Sequence, residues 1–255
     1  MRLLGLFALL VLWESNSVFG FYRILAPTLP ATFFPRLHII GGTVLHAIIN
    51  RDYLEAMLAT LSRVLVAFSV AASLGVGLAL VAARFRTLEE IVTYPLEFFR
   101  QLPAISILPF AIVLFGIYSP MKIAVAFFGC FLPIYVGSRD ALASVDRGLI
   151  LTARAYNWTG SRLLLGIMLP AALPHILASL RIALAIALIL VVMAEMLVGG
   201  DGLGFRLIER ERTFDFSGLY AETILLGLIG MALNALLLAL GRRLYYWREE
   251  SEWRL

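Results

Sequence analysis

The sequence predicts an all-α integral membrane protein with about six transmembrane helices. Of its 255 residues 61% are hydrophobic and 15% charged, against about 25% charged in an ordinary soluble domain. The mean hydropathy is +0.92. Uncharged runs approaching the roughly 20 residues needed to cross hydrocarbon recur along the chain, without the alternating short strands of a barrel. No segment reads as a separate soluble domain.

The first run, Leu3–Trp13 behind Arg2, has the length of a signal-peptide core. The favoured reading is a retained helix that continues past Glu14 toward Tyr22. Pro27, Pro30 and Pro35 exclude a regular helix after it. His38–Leu61 reads as a helix lying at the membrane interface. Val64–Ala83 is the second span, with Gly75 and Gly77 allowing close helix contact. Gln101–Tyr118 is the third and carries Pro103 and Pro109. Ile123–Ser138 is the fourth, bounded by Lys122 and Arg139. Ala171–Val198 is the fifth and contains two charges, Arg181 and Glu195. Thr223–Gly241 is the sixth, ending at Arg242 and Arg243. The expected division is 1–60, an N-terminal helix with an outer segment, and 61–255, a core of five helices.

Charge bias gives only a weak orientation. With a cytoplasmic N-terminus the inner side collects Arg2, Arg84, Arg86, Arg139, Arg147, Arg154, Arg162, Arg242, Arg243, Arg248 and Arg254, and the outer side Arg23, Arg36, Arg51, Arg63, Lys122, Arg206, Arg210 and Arg212. The bias is in the sense of the positive-inside rule but modest, and on charge alone the topology stays open. Cys130 lies in an apolar run and reads as a packing residue. As the one cysteine it excludes an internal disulfide.

The connection at 139–170 is too polar to cross a membrane. Its first half forms two helical turns with Leu149, Ala153 and Tyr156 on one face. Asn157 tolerates the left-handed conformation that ends a helix. Thr159 or Ser161 then caps a second short helix running to Leu169, interrupted by Pro170. The product is a helix–turn–helix knob.

The stretch DRGLILTARAYNWTGSRLLLGIMLPAALP, Asp146 to Pro174, resembles the cytoplasmic loop of permease subunits of ATP-binding-cassette importers. That loop carries a Glu-Ala-Ala run, a Gly soon after, and a terminal Ile/Val-x-Leu-Pro. Ala153 matches the second Ala, and Ile167-Met168-Leu169-Pro170 the end. Leu61-Ser62-Arg63-Val64, Arg100-Gln101-Leu102-Pro103, Leu180-Arg181-Ile182-Ala183-Leu184, Ala194-Glu195-Met196-Leu197 and Gly202-Leu203-Gly204 are similar in order and spacing. The resemblance points to the branch that imports nitrate, sulfonate, taurine and bicarbonate. Two positions depart from the pattern. Leu151 and Thr152 stand for the Glu and first Ala, and Asn157 for the Gly.

The resemblance implies a permease that contributes half of a translocation path in the inner membrane of a bacterium, with both termini cytoplasmic. It implies partners: ATP-binding-cassette ATPase subunits, a second permease copy, an extracytoplasmic solute-binding protein and the lipid bilayer, with no nucleic acid. Residues Leu151, Thr152, Ala153, Arg154, Ala155, Tyr156, Asn157, Leu169 and Pro170 would then form the ATPase-coupling loop. The chain itself is expected to be no enzyme and to hold no cofactor, ATP being bound by the partner. Its one lysine, Lys122, precedes Ile123, whereas a P-loop needs a lysine followed by Ser or Thr after a glycine-rich turn.

Charges inside spans are costly and face a bundle interior or an aqueous path. Arg100, Arg181 and Glu195 are therefore candidates for a path that takes an anion, with snorkelling or helix-to-helix bonding as the competing role. Arg181 and Glu195 stand roughly 21 Å apart along one helix and cannot pair. A self-contained secondary transporter or channel is the alternative. It predicts transport by this chain alone and usually an internal repeat, and no repeat is evident. A membrane-embedded enzyme fits less well, since no paired carboxylates, nucleophile–His arrangement or metal set stands out in the spans.

Overall fold

The computed structural model describes residues 2–20 and 31–244. Among them every regular element is helical: α1 Arg2–Phe19, α2 Leu37–Ile49, α3 Arg51–Arg84, α4 Arg86–Arg100, α5 Leu108–Phe115, α6 Ser119–Ala143, α7 Arg147–Ala155, α8 Gly160–Val198, α9 Leu203–Arg212 and α10 Phe216–Leu244. Four of these, α3, α6, α8 and α10, are long and apolar enough to cross a membrane. The bent pair α4–α5 makes up to five. Counting the 18-residue α1 with these spans is consistent with about six helices.

The chain forms two compact units, Met1–Thr60 with Glu195–Ile229, and Leu61–Ala194 with Gly230–Leu255. In the first, α1 runs past Glu14 to Phe19, and the Tyr22 expected at its end lies outside the described residues. Glu14 has a structural task there: its carboxylate accepts from the Leu37 N–H at 2.9 Å, compensating an orphan donor at the start of α2. Trp13 donates its indole N–H to the Pro35 carbonyl at 3.1 Å and packs edge-on against Tyr220.

The single interfacial helix expected over His38–Leu61 is instead two elements. The break falls at Asn50, which is extended (φ −74°, ψ 125°) and whose side chain accepts from the Asp52 N–H at 2.8 Å. Asn50 thus caps α3, and α3 runs unbroken from Arg51 to Arg84, about 50 Å at 1.5 Å per residue.

In the second unit small side chains, among them Ala79, Ala82, Ala141 and Ala172, pack with Tyr135 and Ile176 in the core. Small residues let membrane helices approach closely where hydrophobic exclusion gives no drive. Gly75 fits this, because a Cβ there would lie 2.8 Å from Ile134. Gly77 does not, since nothing lies within 4 Å of the same position. At the α6–α8 contact, a Cβ on Gly137 would sit 2.6 Å from the Ser179 Cβ. Gly137→Leu is therefore expected to destabilise by about 1–3 kcal/mol through overpacking. A lowered melting temperature of the purified protein checks this, and an unchanged value would refute the tight contact.

Two expected boundaries move. Gln101–Tyr118 is not one straight span: α4 ends at Arg100, and the chain turns by 95° before the 3₁₀ turn Ala104–Ile107 and α5. Pro103 offers no N–H to continue the ladder. Lys122 does not border the fourth span at water either. It lies buried in the first turn of α6. Cys130 is buried in the same helix.

Candidate functional site

The polar connection folds as α7 plus a closing turn. Asp146 caps α7, its carboxylate accepting from the Leu149 N–H at 2.9 Å. At the other end Asn157 takes φ +60°, the left-handed turn expected of it. The Trp158 N–H reaches the Ala153 carbonyl at 3.0 Å, and the Asn157 N–H reaches the Arg154 carbonyl at 2.9 Å. Those two bonds are the Schellman pattern, in which one left-handed residue lets orphan carbonyls be satisfied. Asparagine tolerates that conformation better than other residues with a side chain, so replacing the glycine of the resembled loop keeps the turn.

The second half departs from expectation. Thr159 occupies the N-cap position but makes no side-chain cap bond, and no separate short helix ends at Pro170. The helix beginning at Gly160 passes through a π-turn at Leu164–Met168 and continues past Pro170 and Pro174 to Val198. In the π-turn the Leu169 N–H bonds to Leu164, five residues back, and this shift of register precedes the proline that lacks a donor. Leu169 and Pro170 accordingly belong to the long helix, half-buried, rather than to a discrete knob. Trp158 closes over this region. A Cβ on Gly166 would lie 2.6 Å from its ring, and the Arg162 guanidinium stacks 4.3 Å from the ring centroid, a cation–π geometry.

On α7 the side chains separate into two classes. Ala153 is only 9% exposed, and it packs inward. Leu151 at 64% and Tyr156 at 76% point out, with Thr152, Arg154, Ala155 and Asn157 also exposed. An apolar pair at the end of a polar segment is the arrangement of a small contact surface.

The three charged candidates are not equivalent. Arg181 lies midway along α8, and its Nε donates to Asn234 Oδ1 of α10 at 2.9 Å. The pair opens into a groove of about 750 Å³ lined otherwise by apolar residues of both helices. Arg100 is exposed at the end of α4 and does not line that groove. Glu195 is fully buried. Its carboxylate accepts from the Thr60 hydroxyl at 2.9 and 3.1 Å and from the Gly204 N–H at 3.0 Å. Thr60 in turn accepts from the Leu203 N–H at 2.9 Å. The negative charge thus meets the first amides of α9, where a helix terminus favours it. Glu195 is thus bonded within its own chain and does not line the Arg181 groove. Asn234 and Thr60 were missed in the sequence. Asn234 is a lone amide in an apolar run, a signal that was available. Thr60 gives none, because its partner is 135 residues away.

On α9, Arg206 and Arg210 both reach Glu222 Oε1 of α10, at 3.2 and 3.4 Å. Arg210 also pairs with Asp215 at 2.7 Å. Asp215 caps α10 through the Gly218 N–H at 3.0 Å and accepts from Ser217 at 2.9 Å. Partial burial alone would raise its pKa, but the Gly218 amide, the Ser217 hydroxyl and the Arg210 charge together hold it below the usual carboxylate value. Its stabilising contribution is therefore present at neutral pH and lost as the pH falls through that lowered value.

The family described as the binding-protein-dependent transport system inner membrane component matches residues 75–246. The chain belongs to this family. A probable ABC transporter permease of Brucella abortus (strain 2308) is 30% identical, over 80% of this chain and 82% of the relative. The putative aliphatic sulfonates transport permease of Bacillus subtilis (strain 168) is 26% identical, over 87% and 80%. The bicarbonate transport system permease of Synechococcus elongatus is also 26% identical, over 91% and 84%. Among solved structures, an inward-facing MetNI methionine ABC transporter chain shares the fold with a TM-score of 0.59 at 23% identity, covering 76% of this chain and 94% of its own. Family membership makes this multi-pass membrane protein the permease component of an ATP-binding-cassette importer, not an enzyme. It favours this reading over a self-contained transporter.

Proposed function

We propose that the chain forms half of a translocation path as one of two identical copies, with separate ATPase subunits seated on α7 and the turn at Asn157. In this reading a solute-binding protein delivers a small anion such as a sulfonate, taurine, nitrate or bicarbonate from outside. The membrane is a bacterial inner membrane, with both termini cytoplasmic. The observation that carries the proposal is the extent of the family match: residues 75–246 take in both the α7 segment and the Arg181 groove. The sulfonate and bicarbonate relatives support an anionic solute, and a guanidinium set midway along an apolar helix is suited to one. A lysine-poor sequence without a P-loop supports ATP binding on another chain. A seated α7 would convert closure of the ATPases into helix movement.

Purification of the tagged chain from its native membrane, with subunit counting by native mass spectrometry, tests the assembly. Two copies of this chain with two ATPase domains are expected. A single copy that elutes without an ATPase refutes the proposal.

A further inference from the structure

The coupling segment and the long helix meet at a discrete irregularity, the π-turn Leu164–Met168. We infer that Trp158 is the residue that passes a displacement of α7 into α8, and that the π-turn is the joint that yields. This deepens the coupling role proposed for α7 and rests on that reading.

A π-turn holds one residue more than the α-helix around it. Here the Leu169 N–H reaches back five residues, to Leu164, rather than four. Closing the turn into α-helical geometry needs only a change of hydrogen-bond partner. The two sides of the joint then turn against each other by about 100° and slide by about 1.5 Å, one residue step. Gly160, Ser161 and Arg162 before the joint are exposed, whereas α8 beyond it buries Ala172, Ile176 and Ala183. In the free chain the short leading turn therefore yields first. Once α7 is held by a partner, the same step passes into α8. A full step carries the Arg181 Cα about 3.5 Å around the helix axis, enough to part its bond to Asn234.

Pro170 offers a competing account of the π-turn, since a proline ring clashes with the carbonyl four residues back, here that of Gly166. Other prolines of the chain argue against it. Pro95, Pro133 and Pro174 each sit inside a helix in regular α-helical geometry. Pro174 does so one turn after Pro170 in the same helix. A proline alone does not open a π-turn here.

Trp158 is tied to both partners of the proposed movement. Its backbone N–H bonds to the Ala153 carbonyl of α7 at 3.0 Å, so it follows that helix. Its ring touches both sides of the joint. Arg162, in the turn before the joint, stacks 4.3 Å from the ring centroid. Gly166, within the joint, lies so close that a Cβ there would come 2.6 Å from the indole. A large rigid side chain with two χ angles passes on displacement where a long flexible one would absorb it.

The phase of α8 supplies the test. When the π-turn closes against a fixed α7, each later residue takes the place of the one after it. Ile182, 63% exposed, moves to the buried place of Ala183, and Leu184, 5% exposed, moves to the exposed place of Ala185. The experiment uses the complex purified from its native membrane, in a Cys130→Ala background carrying Ile182→Cys or Leu184→Cys. Labelling by N-ethylmaleimide is followed by mass spectrometry, without nucleotide and with ATP plus vanadate. Without nucleotide the thiol at 182 should react faster. With ATP and vanadate the preference should reverse, the ratio of the two rates changing about tenfold, within the range usual for coupling between two sites.

Trp158→Ala should abolish the reversal while the ATPase still co-elutes, and Trp158→Phe should restore it. Deletion of the exposed Leu165 removes the extra residue and should hold the nucleotide-free pattern under both conditions. No reversal in the wild type overturns the inference, and so does a reversal that survives Trp158→Ala or the deletion. Loss of the ATPase from the Trp158→Ala complex also overturns it, because Trp158 then only holds the docking segment in shape. If the deletion variant does not fold, the two Trp158 variants decide. A wild-type chain that elutes without an ATPase refutes the proposed assembly, and this inference with it.

Discussion

Gly202→Ala is expected to cost on the order of 3–5 kcal/mol, for two reasons that act together. Gly202 takes φ +106° and ψ 174°, a region open essentially to glycine alone. A Cβ there would also run into the Glu195 carboxylate. That carboxylate cannot move freely, since it accepts from Thr60 and from the Gly204 N–H. Displacing it would strand a buried charge, whereas a surface glycine replaced in a loose loop would cost little. Gly77→Ala is the control. It changes a glycine to alanine inside a membrane helix with nothing within 4 Å, and the melting temperature should stay level or rise slightly. For Gly202→Ala the melting temperature of the purified protein should fall on the order of 10 °C. A value matching the control would mean that the carboxylate network does not hold the start of α9.

That network also marks the limit of what could be read in the sequence. Long apolar runs set the number and approximate place of the spans, because the hydrocarbon requirement is local and one-dimensional. Asn157 was legible for the same reason: a helix C-terminus is a local event, and few residue types tolerate its left-handed turn. Glu195 was not. A charge in a span signals only that hydrocarbon is excluded around it, and both scaffolding and a solute path satisfy that condition. The partner of Glu195, Thr60, lies 135 residues away, and nothing in the intervening residues announces it. Pro170 misled in another way. A proline in a helical pattern reads as a breaker, but the π-turn before it shifts the hydrogen-bond register and the helix goes on. Lys122 read as a water boundary, yet burial in α6 shows that one charge does not place an interface.

The largest functional effect is expected at the exposed end of α7, where Leu151→Asp and Tyr156→Asp should each abolish uptake. Ala153, which matches the second Ala of the resembled motif, is the obvious residue to substitute. The structure makes that a poor probe: Ala153 is nearly buried, and its carbonyl anchors the turn through the Trp158 N–H. A bulky charge there would damage the segment itself. Asn157→Val has the same defect, because a β-branched residue disfavours positive φ and the Schellman turn would open. Leu151 and Tyr156 differ. Their side chains stand clear of the chain, so substitution should leave membrane abundance and melting temperature within the small range usual for surface changes, about 0.5 kcal/mol. If an ATPase is seated on this face, each Asp would have to be buried unpaired or hold the surfaces apart, a penalty of several kcal/mol. At 1.4 kcal/mol per tenfold, a cost of about 3 kcal/mol lowers association roughly 100-fold. Pull-down of the ATPase and solute uptake should therefore fall together while the permease remains in the membrane. A self-contained channel would keep its flux with either residue changed. Retained uptake in the Asp variants would thus end the case for α7 as the coupling surface.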